Sequence, residues 1–130
     1  RRLDGRPENF NRSWEEYKKG FGHTDSNFWL GFDKVKHILN NDGNGFQLDF
    51  DMTDTNNDNC QYNVGNFNIG NEASNFTGTF TAVGHCSKWC EGSIDFNNFR
   101  TNGKPFSTFD HDSYGNGCPA AQASGWWFGN

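Results

Sequence analysis

From Phe46 to Met52 apolar and polar residues alternate without a break, Phe46, Leu48, Phe50 and Met52 against Gln47, Asp49 and Asp51. A period of two places one face of a β-strand against a core. The alternation resumes over Cys60-Gln61-Tyr62-Asn63-Val64, skips at Gly65-Asn66 before Phe67 and Ile69, and returns at Phe76, Gly78, Phe80 and Ala82. The skip is the slip a β-bulge produces. The pattern predicts at least three consecutive strands, most simply antiparallel and joined by short turns. Between the first two, the polar run 53–59 carries Asp54 and Asp58 but lacks the glycine and closing glutamate of an EF-hand loop, so it is read as a hairpin turn.

Helical spacing is confined to two short segments. Ser13 followed by Glu16 has the capping-box pattern, and the run from Trp14 to Lys19 ends at Gly20, a residue suited to a helix C-terminus. Trp14 and Tyr17 share a face of that helix and are expected to anchor it to a sheet. From Asp33 to Leu39 a second helix is predicted, with Val35, Ile38 and Leu39 on its inner face. It should stop by Asn40-Asn41-Asp42-Gly43, where Asp42-Gly43 and Asn44-Gly45 are turn signals. From Gly84 to Pro105 periodicity is lost.

Composition changes what the core must be made of. Aromatics are 17% of the 130 residues while all apolar types together are only 32%, so Phe and Trp fill much of the interior, each ring burying roughly 150–250 Å². The length suits one domain with one core. A net charge of −5 without a basic stripe argues against nucleic acid as a partner. No apolar run approaches the roughly 20 residues that cross a bilayer, so membrane insertion is not expected. Cys60, Cys86, Cys90 and Cys118 make an even number. That permits a disulfide framework whose pairing stays open: a local Cys86 to Cys90 bridge, or one from either to Cys60. A zinc site from His85, Cys86 and Cys90 lacks a fourth ligand. Asn11-Arg12-Ser13 and Asn75-Phe76-Thr77 are acceptor sequences for N-glycosylation at Asn11 and Asn75. Disulfides persist in oxidising compartments, so the cysteines and acceptor sequences are compatible with a secreted, extracellular location.

The candidate chemistry lies between Phe106 and Trp127. Asp110 and Asp112 are two residues apart and are followed by Ser113, Tyr114, Gly115, Asn116 and Gly117, a loop that gathers oxygens around one point. Six to eight oxygens from carboxylates, carbonyls and water suit calcium. The competing reading is a solvated turn, built from the same residue types. An enzyme is not indicated: His23, His37, His85 and His111 show no HExxH spacing and no serine sits in a nucleophile elbow. His111, between two aspartates, reads as a surface residue of a metal loop, and Trp126 and Trp127 read as core.

Five blocks resemble one family in order, the last of them running from Phe106 to Trp127. They are Arg1-Arg2-Leu3-Asp4-Gly5, Phe10-Asn11-Arg12-Ser13-Trp14, Tyr17-Lys18-Lys19-Gly20-Phe21-Gly22, Phe28-Trp29-Leu30-Gly31, and Phe106-Ser107-Thr108 leading to Asp110-His111-Asp112, then Cys118 and Gly125-Trp126-Trp127. The chain resembles the fibrinogen-related C-terminal domain of ficolins, tachylectins, angiopoietins, tenascins and fibrinogen. The resemblance covers nearly all of the chain but about half of the usual domain, without its N-terminal subdomain and C-terminal end. It implies an α+β fold: an antiparallel central sheet with short helices over about 1–83, and a loop-rich calcium and ligand region over about 84–130. It also implies Ca2+ held by the side chains of Asp110 and Asp112 and the carbonyls of Tyr114 and Asn116. Ala121, Gln122 and Ala123 would line the ligand pocket, and the partner of Cys118 would fall just beyond Asn130, absent from this chain.

The implied function is a lectin-like recognition module of innate-immune type that binds glycans or acetylated groups. The alternative is a protein-binding module of angiopoietin, tenascin or fibrinogen type, and oligomerisation would use segments outside this chain. Three departures bear on the ligand. Gln122 stands where acetyl-binding members often carry an aromatic, Cys86 and Cys90 replace a Tyr-Ser-Gly and Gly-Asp-Ser run, and the acidic run at Asp110 is two residues short. On this reading, replacing Asp112 by alanine lowers the melting temperature only when calcium is present.

Overall fold

The computed structural model describes residues 1–2, 7–41, 45–53, 57, 59–83 and 101–128. Helix α1 (Trp14–Lys19) begins at its capping box: the Ser13 hydroxyl accepts from the Glu16 amide at 3.4 Å, and Glu16 Oε2 accepts from the Ser13 amide at 2.9 Å. It stops at Gly20, whose φ of 93° is open to glycine. A Cβ on Gly20 would lie 2.5 Å from the Leu30 carbonyl oxygen, and one on Gly31 (φ 98°) would lie 2.6 Å from the Lys19 carbonyl. These two glycines let the end of α1 and the start of the next helix pass back to back. Between them β1 (Phe21–Gly22) and β2 (Phe28–Trp29) form a small antiparallel ladder, Phe21 opposite Trp29.

Helix α2 (Phe32–Asn40) corrects one expectation. Its inward stripe is Phe32, Val35 and Leu39, while Ile38 is 48% exposed. Once the helix starts at Phe32, the spacing i, i+3, i+7 selects those three, and Ile38 falls on the flank. Strand β3 (Phe46–Thr53) pairs antiparallel with β4 (Asn59–Ile69), closing the expected hairpin with Thr53 opposite Asn59. The bulge also appears: Leu48 faces Val64 but Phe46 faces Phe67, so β4 uses one residue more than β3. Asn66 there has φ 51°.

The third alternating run is not one strand. It divides into β5 (Gly78–Thr79) and β6 (Ala82–Val83), both pairing with β4. Phe76 lies outside them, after a 3-10 turn (Glu72–Ser74), with Asn75 and Phe76 both in the left-handed region. There the Phe76 amide donates to Asn71 and its ring turns into the core, buried to 3%.

The core joins distant segments through rings. Trp14, Tyr17, Phe32, Ile69, Phe76, Phe106 and Trp127 form one buried cluster. Tyr62 and Val64, with Leu48, Phe50, Met52 and Phe80 against them, form a second, and Phe67 packs against both. Phe32 stacks on Phe76 at 4.3 Å and meets Phe106 edge-on at 4.7 Å, contacts worth about 0.5–1.5 kcal/mol each beyond burial. Segment 101–128 is stitched into this core by Phe106, by Trp127, whose indole donates to the Phe76 carbonyl at 2.8 Å, and by bridges from Gly78 to Lys104 and Ser107 to Trp126. Trp127 is therefore core, and Trp126 packs partly buried against it. Cys60 lies in β4, whereas His85, Cys86 and Cys90 lie outside the described residues.

Candidate functional site

The acidic loop is mounted on a wholly buried stem. Phe106, Ser107 and Thr108 are each 0% exposed. The Phe106 amide donates to the Asn75 carbonyl, Ser107 exchanges two backbone bonds with Trp126, and Thr108 exchanges two with His111. That last pair closes a tight turn with Phe109 and Asp110 at its tip, so the first carboxylate projects from a fixed base. Thr108 donates its hydroxyl to Asp110 Oδ1 at 2.7 Å, and the Trp14 amide, the first of α1, donates to the same oxygen at 2.9 Å. A carboxylate there also meets the positive end of the helix.

Asp112 folds the second half of the loop. Its Oδ1 accepts from the amides of Tyr114 (3.1 Å) and Gly115 (2.9 Å), and its Oδ2 from the amide of Gly117 (2.8 Å). Gly115 and Gly117 have φ of 65° and 73°. These amides, Gly117 first, hold the Asp112 carboxyl below the ordinary carboxylate value. Asp112 thus has a structural duty independent of any ion, which revises the expectation that its removal matters only with calcium. The Ser113 amide donates to the buried Ser107 hydroxyl at 3.1 Å, and the Ser113 hydroxyl donates to the Phe106 carbonyl at 2.8 Å. Asn116 uses its side-chain oxygen to accept from the Cys118 amide at 3.0 Å.

Helix α3 (Cys118–Gln122) follows, a helix the periodicity did not announce. Pro119 in its first turn and the Ala120-Ala121 pair are its only sequence signals. Ala121, Gln122 and Ala123 are all exposed at its end. Cys118 is a half-buried free thiol. His111 is less of a surface residue than expected. Its ring stacks on Trp14 at 4.0 Å, and its Nε2 lies 3.1 Å from Asn75 Oδ1. Asn75 is accordingly half-buried, while Asn11 is exposed.

The oxygens that remain decide what the loop can hold. Among the described residues, Asp110 Oδ2 and the carbonyls of Tyr114 and Asn116 accept no hydrogen bond, and Asp112 Oδ2 accepts one. Oxygen acceptors, two of them anionic, are the ligand type that a hard divalent cation takes. No group of three or more His, Cys, Asp or Glu side chains gathers among the described residues.

A second feature is an apolar groove of about 350 Å³ between α2 and the sheet, lined by Trp29, Val35, Leu48, Phe50, Phe67 and Trp126 among others. None of Asp110, Asp112, Tyr114, Asn116 or Gln122 contributes to it. No described helix is long and apolar enough to cross a membrane.

Comparison with known proteins bears on the whole chain. Residues 1–130 match the family described as fibrinogen beta and gamma chains, C-terminal globular domain. Ryncolin-4 of Cerberus rynchops is 38% identical over 130 residues, covering 98% of this chain and 35% of that protein. Human angiopoietin-related protein 3 is 34% identical over 128 residues, covering 98% and 25%. Among solved structures, the fibrinogen-like globe domain of human ANGPTL2 superposes with a TM-score of 0.81 at 31% identity, covering 98% of this chain and 55% of that one. A lamprey fibrin D-dimer complexed with the peptide ligand Gly-His-Arg-Pro-amide gives 0.76 at 26% identity, covering 98% and 43%. The chain spans about half of the solved globe and about a third and a quarter of these two curated relatives. With the α+β architecture, the buried Phe106-Ser107-Thr108 stem and the full-length match agreeing, the chain belongs to the fibrinogen C-terminal domain family.

Proposed function

We propose that this chain is an extracellular, non-enzymatic recognition module in which calcium stiffens the loop from Asp110 to Asn116 and the neighbouring surface at Ala121, Gln122 and Ala123 meets a glycan or an acetylated group. The observation that carries it is the division of labour between the two oxygens of Asp110: one is bound by the protein while the other accepts no hydrogen bond among the described residues. When bound, calcium would supply fixed positive charge that holds the loop carbonyls inward. Asp110 ties the loop to α1, Asp112 shapes it through backbone amides, and α3 carries its far end to the exposed Gln122.

A second reading, a protein or peptide partner, is supported by two observations. Gln122 presents an exposed amide where a stacking face would favour sugar, and a lamprey relative has been solved with a peptide ligand. Retention of the chain on N-acetylated resin, with calcium and with chelator, separates the readings. Calcium-dependent retention released by free acetylated sugar supports the lectin. A folded protein stabilised by calcium but not retained would shift the function to a protein partner.

A further inference from the structure

We propose that Thr108 is a positioning residue for the cation loop: its hydroxyl, together with the first amide of α1, fixes one oxygen of Asp110 and leaves the other for the cation. The proposal rests on the calcium reading above and concerns a residue that is not itself a ligand.

Asp110 is exposed, and an exposed aspartate ordinarily samples several rotamers, an entropy that a cation would have to overcome on binding. Here Oδ1 is held by two donors, Thr108 Oγ1 at 2.7 Å and the Trp14 amide at 2.9 Å. The donors are themselves packed and bonded within the fold. Thr108 is 0% exposed, with both its amide and its carbonyl bonded to His111, and Trp14 is 8% exposed in the core. A carboxylate held this way presents its second oxygen in one direction, as outer-shell partners orient ligands in metal sites. The bond joins a loop to a helix 96 residues earlier in the chain. Of its two donors only Thr108 is a side chain, so it is the one a substitution can remove.

Thr108→Val keeps the shape and deletes the donor, and Thr108→Ser keeps the donor. Calorimetric titration of the 130-residue chain with calcium chloride should show Thr108→Val weakened about 10- to 100-fold, the usual effect of losing such a partner, and Thr108→Ser close to wild type. In an Asp110→Asn background, Thr108→Val should cause no further loss, because the threonine acts through that carboxylate. Circular dichroism in chelator checks folding. Should the valine variant not fold, Thr108→Cys, small and a weak donor, must show the same loss. Wild-type affinity in a folded Thr108→Val, or an undiminished further loss in the Asp110→Asn background, would overturn the proposal while leaving calcium binding intact. Absence of calcium binding by the wild-type chain would remove the calcium reading and this proposal with it.

Discussion

The Tyr17 hydroxyl accepts from the Gly125 amide at 3.0 Å and donates to the Phe10 carbonyl at 2.8 Å, so one phenol joins segments 108 residues apart. Tyr17 is 2% exposed, and its ring occupies the space beside Gly125, where an added Cβ would lie 2.7 Å from Tyr17 ring atoms and 2.8 Å from Phe106. Tyr17→Phe leaves the buried Gly125 amide unpaired and should cost about 1–3 kcal/mol. Gly125→Ala should cost a similar amount through overpacking. Urea titrations of both variants give the measurement, and an unchanged midpoint for Tyr17→Phe would mean that the amide finds another partner.

Burial raises the Tyr17 pKa above its ordinary value of 10.0, with the Gly125 amide and nearby arginines opposing. A group whose folded pKa is raised stabilises the fold fully below the unfolded value and ceases to do so as pH rises through the folded one. Between pH 10 and the folded pKa, stability should therefore fall more steeply in the wild type than in Tyr17→Phe. Thermal melts across that range test it; parallel slopes would mean that Tyr17 does not carry the alkaline loss.

The first helix and the first hairpin were legible because both rest on local rules. Ser13 and Glu16 cap α1, and the slip at Gly65-Asn66 becomes a bulge, without help from distant residues. Ile38 and Phe76 were misread because tertiary packing decided them: Phe32 took over the inner face of α2, and Phe76 entered the core from a left-handed turn instead of a strand. At the site, the carboxylates were legible and their duties were not. Asp110 caps a helix far away in the chain, and Thr108 stands two residues before it with nothing in the spacing to mark its hydroxyl as buried. Helix α3 is too short to show a period.

The capping box makes a local prediction. Ser13 supplies the Glu16 amide with its acceptor, and Ser13→Ala should cost about 1 kcal/mol, typical of a lost N-cap. Hydrogen bonds from Ser13, its backbone amide first, lower the Glu16 pKa below the ordinary 4.5. The Glu16 contribution is therefore present above that value and lost as pH falls through the folded one. The gap between wild type and Ser13→Ala should narrow on acidification below pH 4.5. A constant gap would mean that the Ser13 hydroxyl adds nothing to the Glu16 carboxylate, the backbone amide serving it in both chains.

Asp112→Ala separates the structural duty of the loop carboxylate from its duty to a cation. The amides of Tyr114, Gly115 and Gly117 donate to it directly, so the variant should melt lower than wild type even in chelator. With calcium the difference should widen, because an ion at one hundred times its Kd stabilises the binding-competent chain by about 2.7 kcal/mol and the variant forgoes that gain. Two differences are therefore expected, a smaller one in chelator and a larger one in calcium, read from four melting curves. Equal melting in chelator would mean that water replaces the carboxylate for the three amides, leaving Asp112 to serve only the ion. Equal differences in both conditions would leave Asp112 as a loop-shaping residue and count against calcium at this site.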